Sequence, residues 1–188
     1  MAFDFLITST KELSVLAKAK KLTTWLEVVN YVKSLPYGRN TNRTDVSLVL
    51  KEEKGSCSSK HAFLKSLAIE NSKKEVELIL AIYKMNANNT SIGTTISKKN
   101  LEYIPEAHCY LKVLGNSLDI TSESSNFNNI KEAILSEEII LPNQVSEFKV
   151  NYHQEFIKKW IKEEQINFSF DKIWKIREEC IRYLSQNS

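Results

Sequence analysis

The feature that most constrains the fold of this chain is a nearly continuous apolar run, VELILAIYKM, at residues 76–85. Its length and its β-branched content predict a central strand. Residues 106–113 alternate in polarity instead, which predicts a second strand with His108, Tyr110 and Lys112 on one face and Cys109, Leu111 and Val113 on the other. Residues 117–121 follow a Gly-Asn pair and predict a further short strand.

Helical patterns lie on both sides of this β region. Two sequences with capping-box spacing, which begin at Ser9 and Thr24, predict helices near residues 10–20 and 24–34. A third helix is predicted from Cys57 to about Glu70, after a Gly-Ser pair. Two amphipathic helices close the chain, with Trp160 and Trp174 on their apolar stripes. Helices that bracket a central β region favour an α+β fold.

The chain has 188 residues, a length that suits one domain with a sizeable core. It contains only four glycines and three prolines, no internal repeat and no linker-like segment. We therefore expect a single domain over residues 1–188, with a core at about 45–121 and helical flanks at 1–44 and 122–188.

The charge pattern disfavours two classes of partner. The net charge is +3, and the basic residues are scattered among acidic ones, so neither nucleic acid nor an anionic membrane is an expected partner.

No apolar run reaches the roughly 18 residues of a membrane span. Asp4 interrupts the apolar N-terminus and no basic segment precedes it, which disfavours a signal peptide. With three cysteines, an odd number, reduced thiols and a cytoplasmic location are expected.

Three residues in order suggest nucleophilic chemistry: Cys57, His108 and Asp119. Cys57 opens a predicted helix, where unpaired amides and the helix dipole favour a thiolate. His108 lies on the alternating strand and is a candidate general base, and Asp119 on the next strand is a candidate to fix its tautomer. If the three side chains meet, they form a site for cysteine-dependent acyl transfer.

The turn between the two strands decides whether His108 and Asp119 meet. A two-residue turn at Gly115-Asn116 would place Asp119 opposite Lys112, roughly 13 Å along the strand from His108. A four-residue turn at 112–115 would place Asp119 directly opposite His108. The triad hypothesis therefore predicts a longer turn or a bulge, with Gly115 suited to a positive φ.

These residues resemble the transglutaminase-like branch of the papain-like cysteine peptidase superfamily. The similarity rests on Gly55-Ser56-Cys57 at a helix start, His108 within Glu-Ala-His-Cys-Tyr, and Asp119-Ile120-Thr121, and it covers about residues 45–121. Tyr110 stands where that family commonly has Trp, and the interval from His to Asp is short. The resemblance implies a papain-like core, with the nucleophile helix packed on an antiparallel sheet, and catalytic roles for Cys57, His108 and Asp119.

The resemblance also implies a class of reaction. It indicates a thiol hydrolase or acyltransferase that acts on a peptide or another amide-containing substrate, with no cofactor and no metal. The alternative is a non-catalytic protein-interaction domain on the same scaffold. An arylamine-acetyltransferase-like enzyme would share the triad but lacks support here, because the Arg-Gly-Gly-x-Cys context is absent. The oligomeric state is left open.

Several polar residues near the triad are secondary candidates. A second donor for an oxyanion hole is expected upstream of Cys57, and four residues of the 36–45 loop stay unranked for this role: Tyr37, Asn40, Asn42 and Arg43. A zinc site that combines Cys57, His61, His108 and Cys109 is disfavoured, because His108 and Cys109 point to opposite faces of one strand. Lys60 is expected to be solvated, His61 to lie at the surface or core edge, and His153 to be structural or at the surface.

Overall fold

The computed structural model describes residues 3–186, which form six α-helices and four strands with short 3₁₀ turns between them. The helices are α1 (Glu12–Ala19), α2 (Trp25–Ser34), α3 (Leu48–Lys51), α4 (Cys57–Glu70), α5 (Glu147–Glu163) and α6 (Phe170–Gln186). The strands are β1 (Val76–Met85), β2 (Ile104–Val113), β3 (Asn116–Leu118) and β4 (Ile134–Ile140). The architecture is α+β, as the sequence predicts.

The apolar run is the central strand of the sheet, whose order is β3-β2-β1-β4 and whose pairings are all antiparallel. Strand β1 pairs along its whole length with β2, from Val76 opposite Val113 to Met85 opposite Ile104. Both faces of β1 are covered, so a continuous apolar sequence is the pattern that such a strand requires. This explains why the segment could be assigned from sequence.

Two hydrophobic clusters cover the sheet. The main core packs α1, α2 and α4 against the face of β1 that carries Leu78, Leu80 and Ile82. The second cluster packs α5 and α6 around Tyr83, Met85 and Ile104, at the other end of β1 and β2. The helix α4, which begins at Cys57, therefore packs on the sheet in the main core, and the C-terminal helices α5 and α6 pack in the second cluster.

Capping explains where α2 begins but not where α1 begins. At α2 the predicted box is present, since the Thr24 side chain accepts from the Glu27 amide and the Glu27 side chain accepts from the Thr24 amide. The box predicted at Ser9 is wrong, because α1 follows Lys11 without a side-chain cap. Ser9 Oγ accepts a bond from the Lys11 amide instead.

No strand is predicted at Ile134–Ile140 from the sequence, and the structure shows one there as β4. It is an edge strand that pairs only with β1 within residues 3–186, and Glu137 and Glu138 interrupt its apolar pattern. Tertiary pairing thus decides the structure of this segment. The sequence of residues 46–50 is compatible with either a short strand or a helical turn, and the structure shows the short helix α3 over Leu48–Lys51.

The turn between β2 and β3 differs from both arrangements considered from sequence. It is a two-residue turn at Leu114-Gly115, where both residues have positive φ (49° and 78°) and where Val113 pairs with Asn116. Positive φ at both central positions matches the twist of the hairpin. The expectation of a longer turn or bulge is therefore wrong. The ladder ends at Leu118, so Asp119 follows β3 and is not part of it.

Within residues 3–186, no helix is long and apolar enough to cross a lipid bilayer.

Candidate active site

Cys57 is the first residue of α4, and a reciprocal cap fixes its position. The Ser56 side chain accepts from the Ser59 amide, and the Ser59 hydroxyl accepts from the Ser56 amide at 3.0 Å. The thiol is free and only 8% of the residue is exposed, yet it lines two clefts at once. The nucleophile candidate is thus held at a defined helix start and is reachable from two sides.

The structure brings His108 and Asp119 together. Nε2 of His108 lies 2.9 Å from Oδ2 of Asp119, and both side chains are largely buried. The other carboxylate oxygen of Asp119 accepts bonds from the amide and the hydroxyl of Thr121, at 3.0 and 2.6 Å. Burial opposes ionisation of Asp119, but the charge and hydrogen bond of His108 outweigh it and lower the pKa of the carboxyl.

The imidazole of His108 also interacts with Cys57. Burial disfavours protonation of His108, but the charges and hydrogen bonds of Asp119 and Cys57 hold its pKa well above the usual value. Because Nε2 is engaged by Asp119, Nδ1 is the ring nitrogen available to exchange a proton with the thiol. The arrangement therefore favours an imidazolium between a carboxylate and a thiolate.

Lys149, which the sequence analysis did not single out, lies beside the sulfur. Its Nζ is 3.7 Å from Sγ of Cys57 and donates to the hydroxyl of Ser58 at 2.7 Å. Burial disfavours the Cys57 thiolate, but the positive charges of Lys149 and His108 outweigh this effect and lower the pKa of the thiol to about 6. The site thus contains two cations for one thiolate.

His61 connects the helix of Cys57 to the segment of Asp119. Its Nδ1 lies 2.7 Å from the carbonyl oxygen of Cys57, and its Nε2 accepts a bond from the Ile120 amide at 3.0 Å. The ring is fully buried, and burial lowers its pKa to about 4, so it is neutral near pH 7. The structure places His61 in the core beneath the site and not at its surface or edge.

Lys60 is likewise buried, so the expectation of a solvated side chain is wrong. Its ammonium donates to the carbonyl oxygens of Leu35 at 2.6 Å and Thr121 at 2.8 Å. Burial lowers its pKa to about 8, and the charge of Asp119 opposes that shift. A Cβ at Gly55 would lie 2.7 Å from Cγ of Lys60, so the glycine before Cys57 makes room for this side chain.

One cleft at Cys57, here called the basic cleft, has a volume of about 320 Å³. Its charged lining residues are Arg39, Arg43, Lys149 and Arg177, with Glu106 and Glu178. Most of these charges are paired. Arg177 donates from Nε and Nη2 to the buried Glu106 carboxylate and from Nη1 to Glu178. Arg39 forms a further ion pair with Glu178.

The second cleft, here called the hydroxyl cleft, has a volume of about 390 Å³ and contains His108 and Asp119. Much of its lining is uncharged and polar, and includes Thr90, Ser91, Thr121, Ser122 and Ser125. Tyr37, Cys57 and Glu106 line both clefts. The sulfur therefore lies where the basic cleft and the hydroxyl cleft meet, and His108 lines the hydroxyl cleft and not the basic one.

The four candidate oxyanion donors differ in whether their side chains are already hydrogen-bonded and in whether they line a cleft. The side-chain nitrogen of Asn40 is occupied by three oxygens, those of Leu48, Glu52 and Lys54. The side-chain oxygen of Asn42 binds Thr44, and Asn42 does not line either cleft. Tyr37 lines both clefts; burial and the charge of Cys57 raise its pKa, so its phenol stays a neutral donor. Arg43 lines the basic cleft from an exposed position.

The other buried histidine has a structural contact. Nε2 of His153 lies 2.8 Å from the carbonyl oxygen of Pro105, at the start of β2. His153 and Lys149 are one turn apart on α5, and both line the basic cleft. The sequence carries no local signal for Lys149, because its contact with the sulfur depends on how α5 packs in the tertiary structure.

Comparison with known proteins gives no match, whether by family model, by curated protein or by solved structure.

Proposed function

We propose that this protein is a cysteine-dependent hydrolase or acyltransferase that acts on an amide-type bond, with a papain-like, transglutaminase-like core. One observation carries the proposal: the imidazole of His108 engages the Asp119 carboxylate at 2.9 Å and lines the same cleft as the Cys57 thiol, which lies at the start of a helix. A structural histidine has no need of both partners. Together they supply a nucleophile, an acid–base group and an orienting carboxylate.

The proposed reaction begins with attack of the Cys57 thiolate on the carbonyl carbon. The sulfur lone pair forms the S–C bond, and the π electrons of the carbonyl move to its oxygen. When this intermediate collapses, the C–N bond breaks and the leaving nitrogen takes the proton of His108. Asp119 keeps Nε2 of the ring bonded throughout, so that Nδ1 is available to exchange the proton.

The second half of the reaction releases the acyl group from Cys57. His108, now neutral, takes a proton from water or from an acceptor amine as that nucleophile attacks the thioester. The C–S bond breaks and the thiolate returns. Water gives hydrolysis and an amine gives acyl transfer, and the two outcomes need the same residues.

The position of His108 orients the substrate. His108 lines the hydroxyl cleft, and it must donate its proton to the leaving nitrogen. The leaving group therefore occupies the hydroxyl cleft, and the acyl group extends into the basic cleft on the other side of the sulfur.

The test is to trap the thioester. The protein is mixed with an activated acetyl ester, quenched in acid, and its mass is measured, with Cys57→Ala and Cys109→Ala as paired variants. We expect one acetyl group on wild type and Cys109→Ala and none on Cys57→Ala. Deacylation with and without an added amine then separates hydrolysis from transfer. If wild type and Cys57→Ala acetylate equally, the non-catalytic interaction domain becomes the better interpretation.

A further inference from the structure

The ammonium of Lys149 contacts the nucleophile from outside the segment that carries the triad. It comes from the first turn of α5, 92 residues after Cys57 in sequence. Its contacts are the Ser58 hydroxyl at 2.7 Å and the Cys57 sulfur at 3.7 Å. The resemblance based on Cys57, His108 and Asp119 gives this lysine no role.

Two backbone donors lie next to the same sulfur. The amides of Cys57 and Ser58 open α4, and within residues 3–186 neither has a hydrogen-bond acceptor, because the cap from Ser56 is taken up by Ser59. Such amides at a helix start attract negative charge. The Cys57 thiol therefore lies among two unused N–H donors and one ammonium.

We propose that Lys149 is a catalytic residue, whose ammonium, together with the Cys57 and Ser58 amides, binds the oxyanion of the tetrahedral intermediate. This inference rests on the proposed function. During attack the negative charge leaves the sulfur and appears on the carbonyl oxygen, which is two bonds away. A cation 3.7 Å from the sulfur stays within reach of that oxygen, so one ammonium stabilises the thiolate first and the oxyanion next.

The other cations of the basic cleft are less suited to this role. Arg177 is committed to Glu106 and Glu178, and Arg39 to Glu178. Arg43 lines the cleft from an exposed position. Lys149 donates only to neutral oxygen and to the nucleophile itself among the hydrogen bonds of residues 3–186. Burial disfavours the charged form of Lys149, but its electrostatic interactions with Cys109, Cys57 and Glu106 outweigh burial and raise its pKa, so Lys149 is charged at neutral pH.

The experiment compares two reactions of the same thiol. In alkylation by iodoacetamide the thiolate attacks a methylene carbon, and no oxyanion forms. In acylation by p-nitrophenyl acetate it attacks a carbonyl carbon, and an oxyanion must form. Both rates are measured in wild type, Lys149→Met and Lys149→Arg, and are divided by the thiolate fraction obtained from ultraviolet absorbance. Lys162→Met, an exposed lysine on the same helix, is the matched control.

We expect Lys149→Met to lose about 100-fold in acylation per thiolate, the effect of one oxyanion donor, with alkylation per thiolate changed less than about twofold. Lys149→Arg, which keeps a cationic donor, should recover most of the acylation rate, and Lys162→Met should match wild type. Thermal melting confirms folding, and Lys149→Gln, which also removes the charge, replaces Lys149→Met in the comparison if Lys149→Met does not fold.

Two results separate the possible failures. If both rates per thiolate fall in parallel, or if neither changes, Lys149 is at most a counterion of the thiolate and the inference is wrong, while the proposed function stands. If wild type alkylates at Cys57 but never acylates there, the proposed function itself is wrong, and the inference falls with it.

Discussion

Nε2 of His61 accepts a hydrogen bond from the backbone amide of Ile120 at 3.0 Å, although 59 residues separate them. The other ring nitrogen binds the carbonyl oxygen of Cys57, so one buried ring links the nucleophile helix to the segment that carries Asp119. The link uses the neutral imidazole, with one nitrogen as donor and the other as acceptor. This makes His61 a positioning residue, and protonation of its ring would break the link, so the free energy of unfolding should depend on pH.

We expect the free energy of unfolding to decrease in acid partly because of His61. Its pKa is about 4 when folded and about 6.5 when unfolded, so the unfolded state binds more protons between these values. The contribution is complete above pH 6.5 and decreases by about 3 kcal/mol towards pH 4. Urea unfolding at pH 7 and pH 4.5 should show a smaller difference in His61→Gln than in wild type; equal differences would contradict this account.

We expect Cys57 to be the fastest of the three cysteines to alkylate. Its pKa is about 6, whereas burial raises the pKa of Cys109 and raises that of Cys180 to about 12. Brief iodoacetamide treatment of the native protein at pH 7, followed by peptide mapping, should label Cys57 in large excess. The same treatment in denaturant is the control, and should label all three thiols alike. Equal labelling of the native protein would argue against a special Cys57.

We expect His108→Ala to move the alkylation profile of Cys57 to higher pH. The imidazolium helps to lower the pKa of the thiol, so its removal raises that pKa, while Lys149 keeps part of the stabilisation. Asp119→Asn should produce a smaller shift, since Asp119 acts on the sulfur through the imidazole. The measurement is the alkylation rate of Cys57 against pH in wild type, His108→Ala and Asp119→Asn. An unchanged profile in His108→Ala would show that the two residues are not coupled.

We expect Gly55→Ala to lower both the melting temperature and the reactivity of Cys57. The added Cβ would lie 2.7 Å from Cγ of Lys60 and 3.0 Å from the Ser59 hydroxyl, so the buried lysine or the cap must move. Gly38→Ala is the matched control, because Gly38 bonds to Gly55 and its Cβ would meet only the Lys54 side chain, at 3.4 Å or more. Similar losses in both variants would point to the shared bridge and not to Lys60.

Predictions from sequence succeed where the determining contacts are local. The apolar run at 76–85 and the helix over 57–70 follow from periodicity and capping, which depend on neighbouring residues. The edge strand at 134–140 does not, because its pairing with β1 supplies the order that its interrupted pattern lacks.

The contact between His108 and Asp119 shows why register matters. Extension of the β2–β3 ladder would place Asp119 opposite Tyr110, two residues from His108, yet the side chains bond. Diagonal neighbours on one face of a hairpin are within reach of long side chains, and Asp119 lies just past the end of the ladder. The two residues could be named from the sequence, but the path by which they meet could not.

The sequence by itself determined the α+β class, the central strand, the helix start at Cys57, and the identity of the three residues that the proposal uses. Only the tertiary structure decided which charges surround them. Lys149 reaches the sulfur from α5, His61 ties α4 to Ile120, and Lys60 is buried under Gly55. Periodicity records which face of an element is apolar, whereas the pKa of a thiol depends on charges a few ångströms away in space, and those charges come from distant parts of the chain.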